Sequence, residues 1–211
     1  MTMKTVLFIL LDRYADWEAV PLASVINRQP GWRVQTVSPA GSPVRSLGGF
    51  TTVPEGAVPA QLPPDCAGVV LIGGLSWRTE AAGAAEAPVR DAAARGIVIG
   101  AICDATVFLG RIGLLNDMPH TGNLLPDLQD YAGNGYSGSL FYRNENVVRS
   151  GRLVTANGTA AMEFAREMAV ALELMSAEDA ARWHRLFTLG FHAAPEDAFW
   201  WFGRMNSGGE S

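Results

Sequence analysis

Cysteine is scarce in this chain of 211 residues, since Cys66 and Cys103 are its two cysteines. They provide neither a disulfide framework nor the close spacing of a metal site. Free thiols persist in reducing compartments, so we expect a cytoplasmic protein. We also expect no cofactor. Each thiol must therefore be considered singly, either as a packed side chain or as a nucleophile.

An excess of positive charge and long apolar runs are lacking as well. Lys and Arg number 16 against 21 Asp and Glu, for a net charge of −5. This balance argues against nucleic acid or an anionic membrane as a partner. The apolar stretch at residues 6–11 is too short to span a bilayer, and no small-residue cleavage site follows it. We interpret it as part of the first strand and expect no membrane association.

Histidine is equally rare, with His120, His184 and His192 in the whole chain. None adjoins Cys103, so a local Cys-His pair is excluded. His120 stands in Pro-His-Thr-Gly-Asn, a short loop beyond the Cys103 segment. It could return over the site to line a pocket or to act as a general base. His184 and His192 lie on a late amphipathic segment, where packing or exposure is the usual role.

The order of the apolar segments predicts an α/β fold. A strand, a helix and a strand follow one another within residues 4–38, which is typical of a βαβ unit with parallel strands. The predicted strands of this sheet are residues 4–11, 32–38, 68–72 and 97–102. We also predict a hairpin at 44–53, a Pro-rich loop at 54–64, and helices at 86–95, 159–174 and 177–189. The length fits one domain over residues 1–211, with a helical C-terminal extension from about residue 176.

Residues 96–115 carry the feature around which the rest is organised. The unbroken apolar run at 97–102 is typical of a buried parallel strand, and apolar residues at helical spacing follow from Asp104. Cys103 stands at the junction, which is the place of the nucleophile in a nucleophile elbow. The helix N-terminus beside it would favour the thiolate. The alternative is a buried structural cysteine.

Other segments are predicted to reach the same carboxyl edge of the sheet, where parallel sheets bind ligands. One of them contains Glu18, which is either a solvated carboxylate at a helix start or a partly buried carboxyl that donates a hydrogen bond to Cys103. We assign Asp16 as the helix cap, which leaves Glu18 as the candidate. Gly73 and Gly74 permit a close backbone approach, and with the N–H of Asp104 they could form an oxyanion hole. An ordinary strand-to-helix turn is the alternative for this glycine pair.

Together these motifs resemble the ThiJ/PfpI family of the class I glutamine amidotransferase-like superfamily. The resemblance rests on Ala-Ile-Cys at 101–103 with Gly-Leu-Leu at 113–115, Asp-Trp-Glu at 16–18, Val-Leu-Ile-Gly-Gly at 70–74, and Leu-Val-Thr-Ala-Asn-Gly-Thr at 153–159. It implies a flavodoxin-like, three-layer αβα sandwich with a mostly parallel sheet, found mostly as a homodimer. It also implies Cys103 as nucleophile, Glu18 as its acidic partner, and Gly74 and Asp104 as oxyanion donors.

One departure from the family concerns the residue after the cysteine. Members regarded as proteases carry His there, where this chain has Asp104. A carboxylate beside the thiol opposes thiolate formation and removes the usual base, which argues against peptidase activity.

Three functions remain open from the sequence. The first is a cofactor-independent cysteine hydrolase or hydratase acting on a small electrophile such as an α-oxoaldehyde or an amide. The second is a redox-sensing or stress-response protein whose Cys103 is oxidised to a sulfinate beside Glu18. The third is a non-catalytic binding module. The expected partners are a small-molecule substrate and a second copy of the chain, because the Trp200-Trp201 tail offers apolar surface that needs cover.

Overall fold

A seven-stranded sheet forms the middle layer in the computed structural model, which describes residues 3–207. Its strands are β1 (Lys4–Ile9), β2 (Trp32–Ser38), β5 (Gly56–Ala57), β6 (Cys66–Leu71), β7 (Val98–Ile102), β8 (Val147–Ser150) and β9 (Leu153–Ala156). The strand order is β5-β2-β1-β6-β7-β9-β8, parallel throughout except for the β8–β9 pair. Strands β3 (Val44–Arg45) and β4 (Thr51–Thr52) form a separate antiparallel hairpin. The predicted mostly parallel sheet is confirmed.

Helices cover both faces of the sheet. They are α1 (Asp16–Ile26), α2 (Glu86–Arg95), α3 (Ala105–Arg111), α4 (Leu125–Ala132), α5 (Ala161–Ala171), α6 (Ala177–Leu189) and α7 (Pro195–Ser207). One core lies between the sheet and α1, α5, α6 and α7, and the other between the sheet and α2, α3 and α4. The three-layer αβα architecture is therefore confirmed. Within residues 3–207 no helix combines the length and the apolar character needed to cross a membrane.

Strand β1 shows why the sequence selects this architecture. Val6 and Phe8 belong to the core on one face, whereas Leu7 and Ile9 belong to the core on the other. A strand that is apolar at every position can be buried only when both faces are covered. Each large apolar side chain buried in this way contributes roughly 1.5–3 kcal/mol.

Two local predictions were wrong. The Pro-rich segment at 54–64 is not all loop, because Gly56–Ala57 pairs with β2 and extends the sheet at its edge. Asp16 is not the cap of α1, because Ala15 occupies that position. The Asp16 carboxylate accepts the N–H of Gly48 at 2.8 Å instead. It thereby ties α1 to the hairpin.

Helices α6 and α7 occupy the region after residue 176, and α7 was not foreseen from the sequence. The Asp197 carboxylate of α7 is nearly buried and accepts hydrogen bonds from Arg182 and Arg185 of α6. Trp201 is only 7% exposed and lies under the guanidinium of Arg28. Trp200 is partly buried against the same core. The tryptophan pair therefore packs within the chain, which removes the reason given above for a homodimer.

Candidate active site

Cys103 occupies a sharp turn between β7 and α3. The strand ends at Ile102, the helix begins at Ala105, and Cys103 has a φ of 61°. A non-glycine residue in this region costs on the order of 1–3 kcal/mol and persists where its surroundings over-determine it. The Cys103 N–H donates to the carbonyl of Ala156 at 2.9 Å, and its carbonyl accepts the N–H of Thr106 at 3.0 Å. This is the geometry of a nucleophile elbow.

The elbow opens into a cavity of about 520 Å³ at the carboxyl edge of the sheet. Its walls come from α1, the hairpin, the loop after β6, the elbow and the loop before α4. The lining residues are Ala15, Trp17, Glu18, Leu47, Gly74, Leu75, Arg78, Cys103, Asp104 and Asn123. Segments far apart in the sequence thus meet where a parallel sheet usually binds its ligand.

Glu18 lies beside the Cys103 thiol in the first turn of α1, and it is fully buried. Neither of its carboxyl oxygens has a partner at hydrogen-bonding geometry within residues 3–207. Burial raises the pKa of Glu18 from 4.5 to about 7. The Cys103 thiol and the Gly73 N–H are close enough to offset part of this rise, but neither is well aligned. A carboxyl of this pKa can give or take a proton at neutral pH.

The thiol of Cys103 is held protonated. Burial, followed by the charge of ionised Glu18, raises the pKa of Cys103 from 9.0 to about 11. The side-chain amide of Asn123 and the backbone N–H of Asp104 favour the thiolate but are outweighed. The helix N-terminus therefore does not produce the thiolate expected from the sequence, because desolvation is the larger effect. A base is needed to activate this sulfur.

Two glycines allow the thiol and the carboxyl to meet. A Cβ on Gly158 would lie 2.8 Å from the Cys103 sulfur and 3.3 Å from Oε1 of Glu18. A Cβ on Gly73 would clash with the Glu18 carboxyl and with the Cβ of Cys103. The backbone thus packs against the thiol and the carboxyl more closely than a side chain would permit. Gly73 supports the pair from behind, while Gly74 lines the cavity.

Asp104 turns its carboxylate to Arg78, a residue that the sequence analysis missed. Arg78 Nε lies 2.6 Å from Asp104 Oδ2, and Nη2 lies 2.9 Å from Oδ1. The same guanidinium is paired with Asp127, Nη2 lying 2.7 Å from Oδ2. These carboxylates raise the pKa of Arg78, which stays charged. Arg78 follows the Gly73-Gly74 turn by a few residues, but nothing local indicates which acid it meets.

Asn123 is the second residue that was missed, although its segment was noted for His120. The Gly158 N–H donates to Asn123 Oδ1 at 2.9 Å, so the NH₂ end of the amide faces the elbow. That nitrogen lies 3.4 Å from the Cys103 sulfur and 3.3 Å from Oδ1 of Asp104. Asn123 therefore contacts both the Cys103 sulfur and the Asp104 carboxylate, and its one NH₂ group is shared between them.

His120 is not brought to the cavity. It is fully buried, with Nδ1 at 2.8 Å from the Met118 carbonyl and Nε2 at 2.7 Å from the Tyr136 hydroxyl. A carbonyl can only accept, so Nδ1 carries the proton and Nε2 accepts from the tyrosine. Burial lowers the pKa of His120 and keeps the ring neutral. Both ring nitrogens are thus occupied in a packed network, and His120 is not among the residues that line the cavity.

Comparison with known proteins places this chain in a family. The sequence profile of the DJ-1/PfpI family matches residues 4–171. A relative in Bacillus subtilis, named "Uncharacterized protease YdeA", is 37% identical over 190 residues, which are 90% of this chain and 94% of the relative.

Solved structures agree with the sequence matches. A DJ-1 superfamily protein of Agrobacterium tumefaciens is 33% identical and superposes with a TM-score of 0.79, covering 89% of this chain and 98% of that one. A thiJ/pfpI family protein of Bacillus anthracis is 26% identical with a TM-score of 0.85, covering 98% of this chain and 99% of that one. The match runs through the sheet, the elbow and the helices beside them, and the chain belongs to the DJ-1/PfpI family.

Proposed function

We propose that the protein is a cofactor-independent cysteine enzyme, a hydrolase or hydratase acting on a small electrophile such as an α-oxoaldehyde or an amide. One observation carries the proposal: Cys103, in its strained turn at the cavity wall, adjoins a buried Glu18 whose pKa is about 7. A protonated thiol needs a base in contact with it, and a base is most effective when its pKa is near the working pH. Family membership supports a hydrolase-like or stress-related role without selecting the substrate.

In the proposed reaction, ionised Glu18 takes the thiol proton as the sulfur of Cys103 attacks the carbonyl carbon. The π electrons move to the carbonyl oxygen, and the N–H groups of Gly74 and Asp104 stabilise that oxyanion. With an amide, protonated Glu18 returns its proton to the departing amine, and water hydrolyses the thioester. With an α-oxoaldehyde, a proton moves from C1 to C2 of the hemithioacetal and the hydroxyl proton moves from the C1 oxygen to the C2 oxygen, which forms a thioester; its hydrolysis gives a 2-hydroxy acid and returns the thiol.

The cavity wall favours an uncharged substrate that carries an apolar group. Trp17, Leu47 and Leu75 line the cavity with side chains that are 53%, 40% and 51% exposed. Arg78 is the one positively charged residue among the described lining residues, and it is already paired with the carboxylates of Asp104 and Asp127. A carboxylate or phosphate on the substrate would therefore find no unpaired positive charge there.

A second function, redox sensing, is favoured by the unpartnered oxygens of Glu18. A sulfinate on Cys103 would accept a hydrogen bond from this carboxyl in its protonated form. The raised pKa of the thiol argues the other way, because oxidation by peroxide proceeds through the thiolate. We therefore place the enzyme first.

Steady-state turnover of a panel of α-oxoaldehydes and amides tests the proposal. We expect turnover by the wild type and none by Cys103→Ser. Cys66→Ser should also be active, because the Cys66 thiol is buried at the start of β6. Failure to turn over either substrate class, with stoichiometric oxidation of Cys103 by peroxide, would replace the enzyme with the redox sensor. Failure of both would leave the binding module.

Peptidase activity is not part of the proposal, although a relative carries the name of a protease. Asp104 follows the cysteine, and none of the described residues lining the cavity is a histidine. A homodimer belongs to the proposal on family grounds, and a cytoplasmic location because the two cysteines are free thiols. Light scattering at micromolar concentration tests the first, and fractionation of cells tests the second.

A further inference from the structure

We propose that Arg78 is a positioning residue that holds the Asp104 carboxylate away from the Cys103–Glu18 pair. The inference builds on the proposed function, but it concerns the ionisation of these groups and is measured without any turnover. Its failure and the failure of the proposed enzyme are therefore separate results.

The guanidinium of Arg78 is fixed on several sides. Its Nε and Nη2 bind both oxygens of Asp104, and its Nη1 and Nη2 bind Asp127 at 3.1 and 2.7 Å. Its plane lies over the ring of Tyr131, with the guanidinium carbon 3.7 Å from the ring centroid. A planar fork held between two carboxylates and an aromatic face has one orientation, and it imposes one on its partners.

Asp104 needs such a partner because of its place in the chain. It directly follows the nucleophile, and its charge raises the pKa of both Glu18 and Cys103. The charged and titratable groups that face it are Arg78 from the loop after β6, Asp127 from α4, Cys103 from the elbow and Glu18 from α1. Among these described groups Arg78 is the one with a positive charge, so its loss frees the Asp104 carboxylate to move.

Asn123 determines where a freed carboxylate would go. Its NH₂ group is shared between the Cys103 sulfur at 3.4 Å and Oδ1 of Asp104 at 3.3 Å. Without Arg78, the carboxylate would take this donor fully and bring its charge nearer the sulfur. The thiolate would then lose a hydrogen bond and gain a negative neighbour, and both changes disfavour it.

The main experiment compares Arg78→Gln with the wild type by two probes that need no substrate. We expect alkylation of Cys103 by iodoacetamide at about pH 8 to slow about three- to tenfold, which corresponds to a rise of about half to one unit in the thiol pKa. We expect the midpoint of Glu18, followed by NMR with ¹³C-labelled glutamate, to move upward as well. Peptide mapping separates Cys103 from Cys66, and circular dichroism confirms that the variant is folded.

Asp104→Asn and Asp127→Asn provide the matched controls. In an Asp104→Asn background, Arg78→Gln should change the alkylation rate less than twofold, because the carboxylate on which Arg78 acts is gone. Asp127→Asn removes the charge of the other partner but keeps one acceptor oxygen for Arg78, so it should change both probes far less than Arg78→Gln does. Arg78→Lys keeps the charge but loses the fork, so it should reproduce at least half of the Arg78→Gln effect.

Several results would overturn the inference. Unchanged probes in Arg78→Gln would show that Asp104 needs no holding. Equal slowing in the wild-type and Asp104→Asn backgrounds would mean that Arg78 acts by its own charge or through the fold. An unaffected Arg78→Lys would reduce the role to charge alone. If Arg78→Gln does not fold, the Arg78→Lys measurement in both backgrounds decides the question.

Discussion

Glu18 and Asp104 are two carboxyl groups near one sulfur, and their surroundings in the fold differ. Glu18 is fully buried, has no partner at hydrogen-bonding geometry among the described residues, and has a pKa raised to about 7. Asp104 is nearly as buried, but both of its oxygens are bound by Arg78. The same chemical group is left unsatisfied in one place and fully paired in the other.

This difference shows how a site assigns roles to like residues. Two carboxyls whose surroundings differ in this way can perform different tasks at one pH. A buried polar group without a partner is costly, and natural structures retain few of them. The cost at Glu18 therefore supports the proposal that this residue moves a proton. The pairing with Arg78 holds the Asp104 carboxylate in one place as a compensated charge.

The difference between Glu18 and Asp104 should be largest in the rate of catalysis. Glu18→Gln keeps the shape but removes the base, so we expect kcat to fall about 10²- to 10⁴-fold. The wild-type rate should rise with pH through about 7, as Glu18 ionises, and the variant should lose that rise. Asp104→Asn, the matched control, should cost far less. A loss of similar size in the two variants would break the distinction.

Alkylation of Cys103 should respond to Glu18→Gln in the opposite direction. The ionised carboxylate raises the pKa of the thiol, so its removal should lower that pKa and accelerate the reaction with iodoacetamide above about pH 8. Glu18→Leu tests the alternative considered from the sequence, in which Glu18 donates a hydrogen bond to the thiolate: leucine cannot donate, so that variant would then react more slowly than the wild type. The pair is coupled, so both midpoints should be followed together.

Stability should depend on pH with a sign set by Glu18. Its pKa is about 7 in the folded chain against 4.5 for the free group, so the folded state binds more protons between these values. The free energy of unfolding should therefore fall as the pH rises through this window, by about 3 kcal/mol. Urea unfolding at about pH 4 and pH 8 should show this fall in the wild type and not in Glu18→Gln. A wild type with no such fall would contradict the burial argument.

Asp104→Asn should have the reverse effect on stability. Replacing a carboxylate that is paired with Arg78 should destabilise the fold by about 1–3 kcal/mol near neutral pH. Glu18→Gln should instead be neutral or stabilising at about pH 8. Thermal unfolding of the two variants under one condition measures both signs. Two variants that shift Tm in the same direction would show that the carboxyls are equivalent.

The smallest expected effect lies outside the site. Tyr136→Phe removes the hydroxyl that donates a hydrogen bond to His120 Nε2, at a cost of about 1 kcal/mol in stability. Because His120 does not line the cavity, the alkylation rate of Cys103 should not change. A slower or faster reaction would place His120 in the machinery of Cys103 after all.

The sequence by itself determined the features that local chemistry decides. Residues 97–102 are apolar at every position and must be buried on both faces, which predicted a central parallel strand now seen as Val98–Ile102. Gly96 ends α2 with a φ of 64°, at the place where the chain needed a left-handed residue. The position of Cys103 between a strand and a helix followed from the same change of periodicity.

Only the tertiary structure decided which polar groups meet around that sulfur. Arg78, Asn123 and Glu18 come from separate loops and helices, and their spacing in the chain does not indicate their contacts. His120 is near Cys103 in the sequence, but its side chain is hydrogen-bonded to Tyr136 instead. The protonation of Cys103 depends on whether burial or nearby donors dominate, and this balance is a property of the assembled cavity. Secondary structure follows from periodicity along the chain, whereas pKa values follow from distances and solvent exclusion in three dimensions.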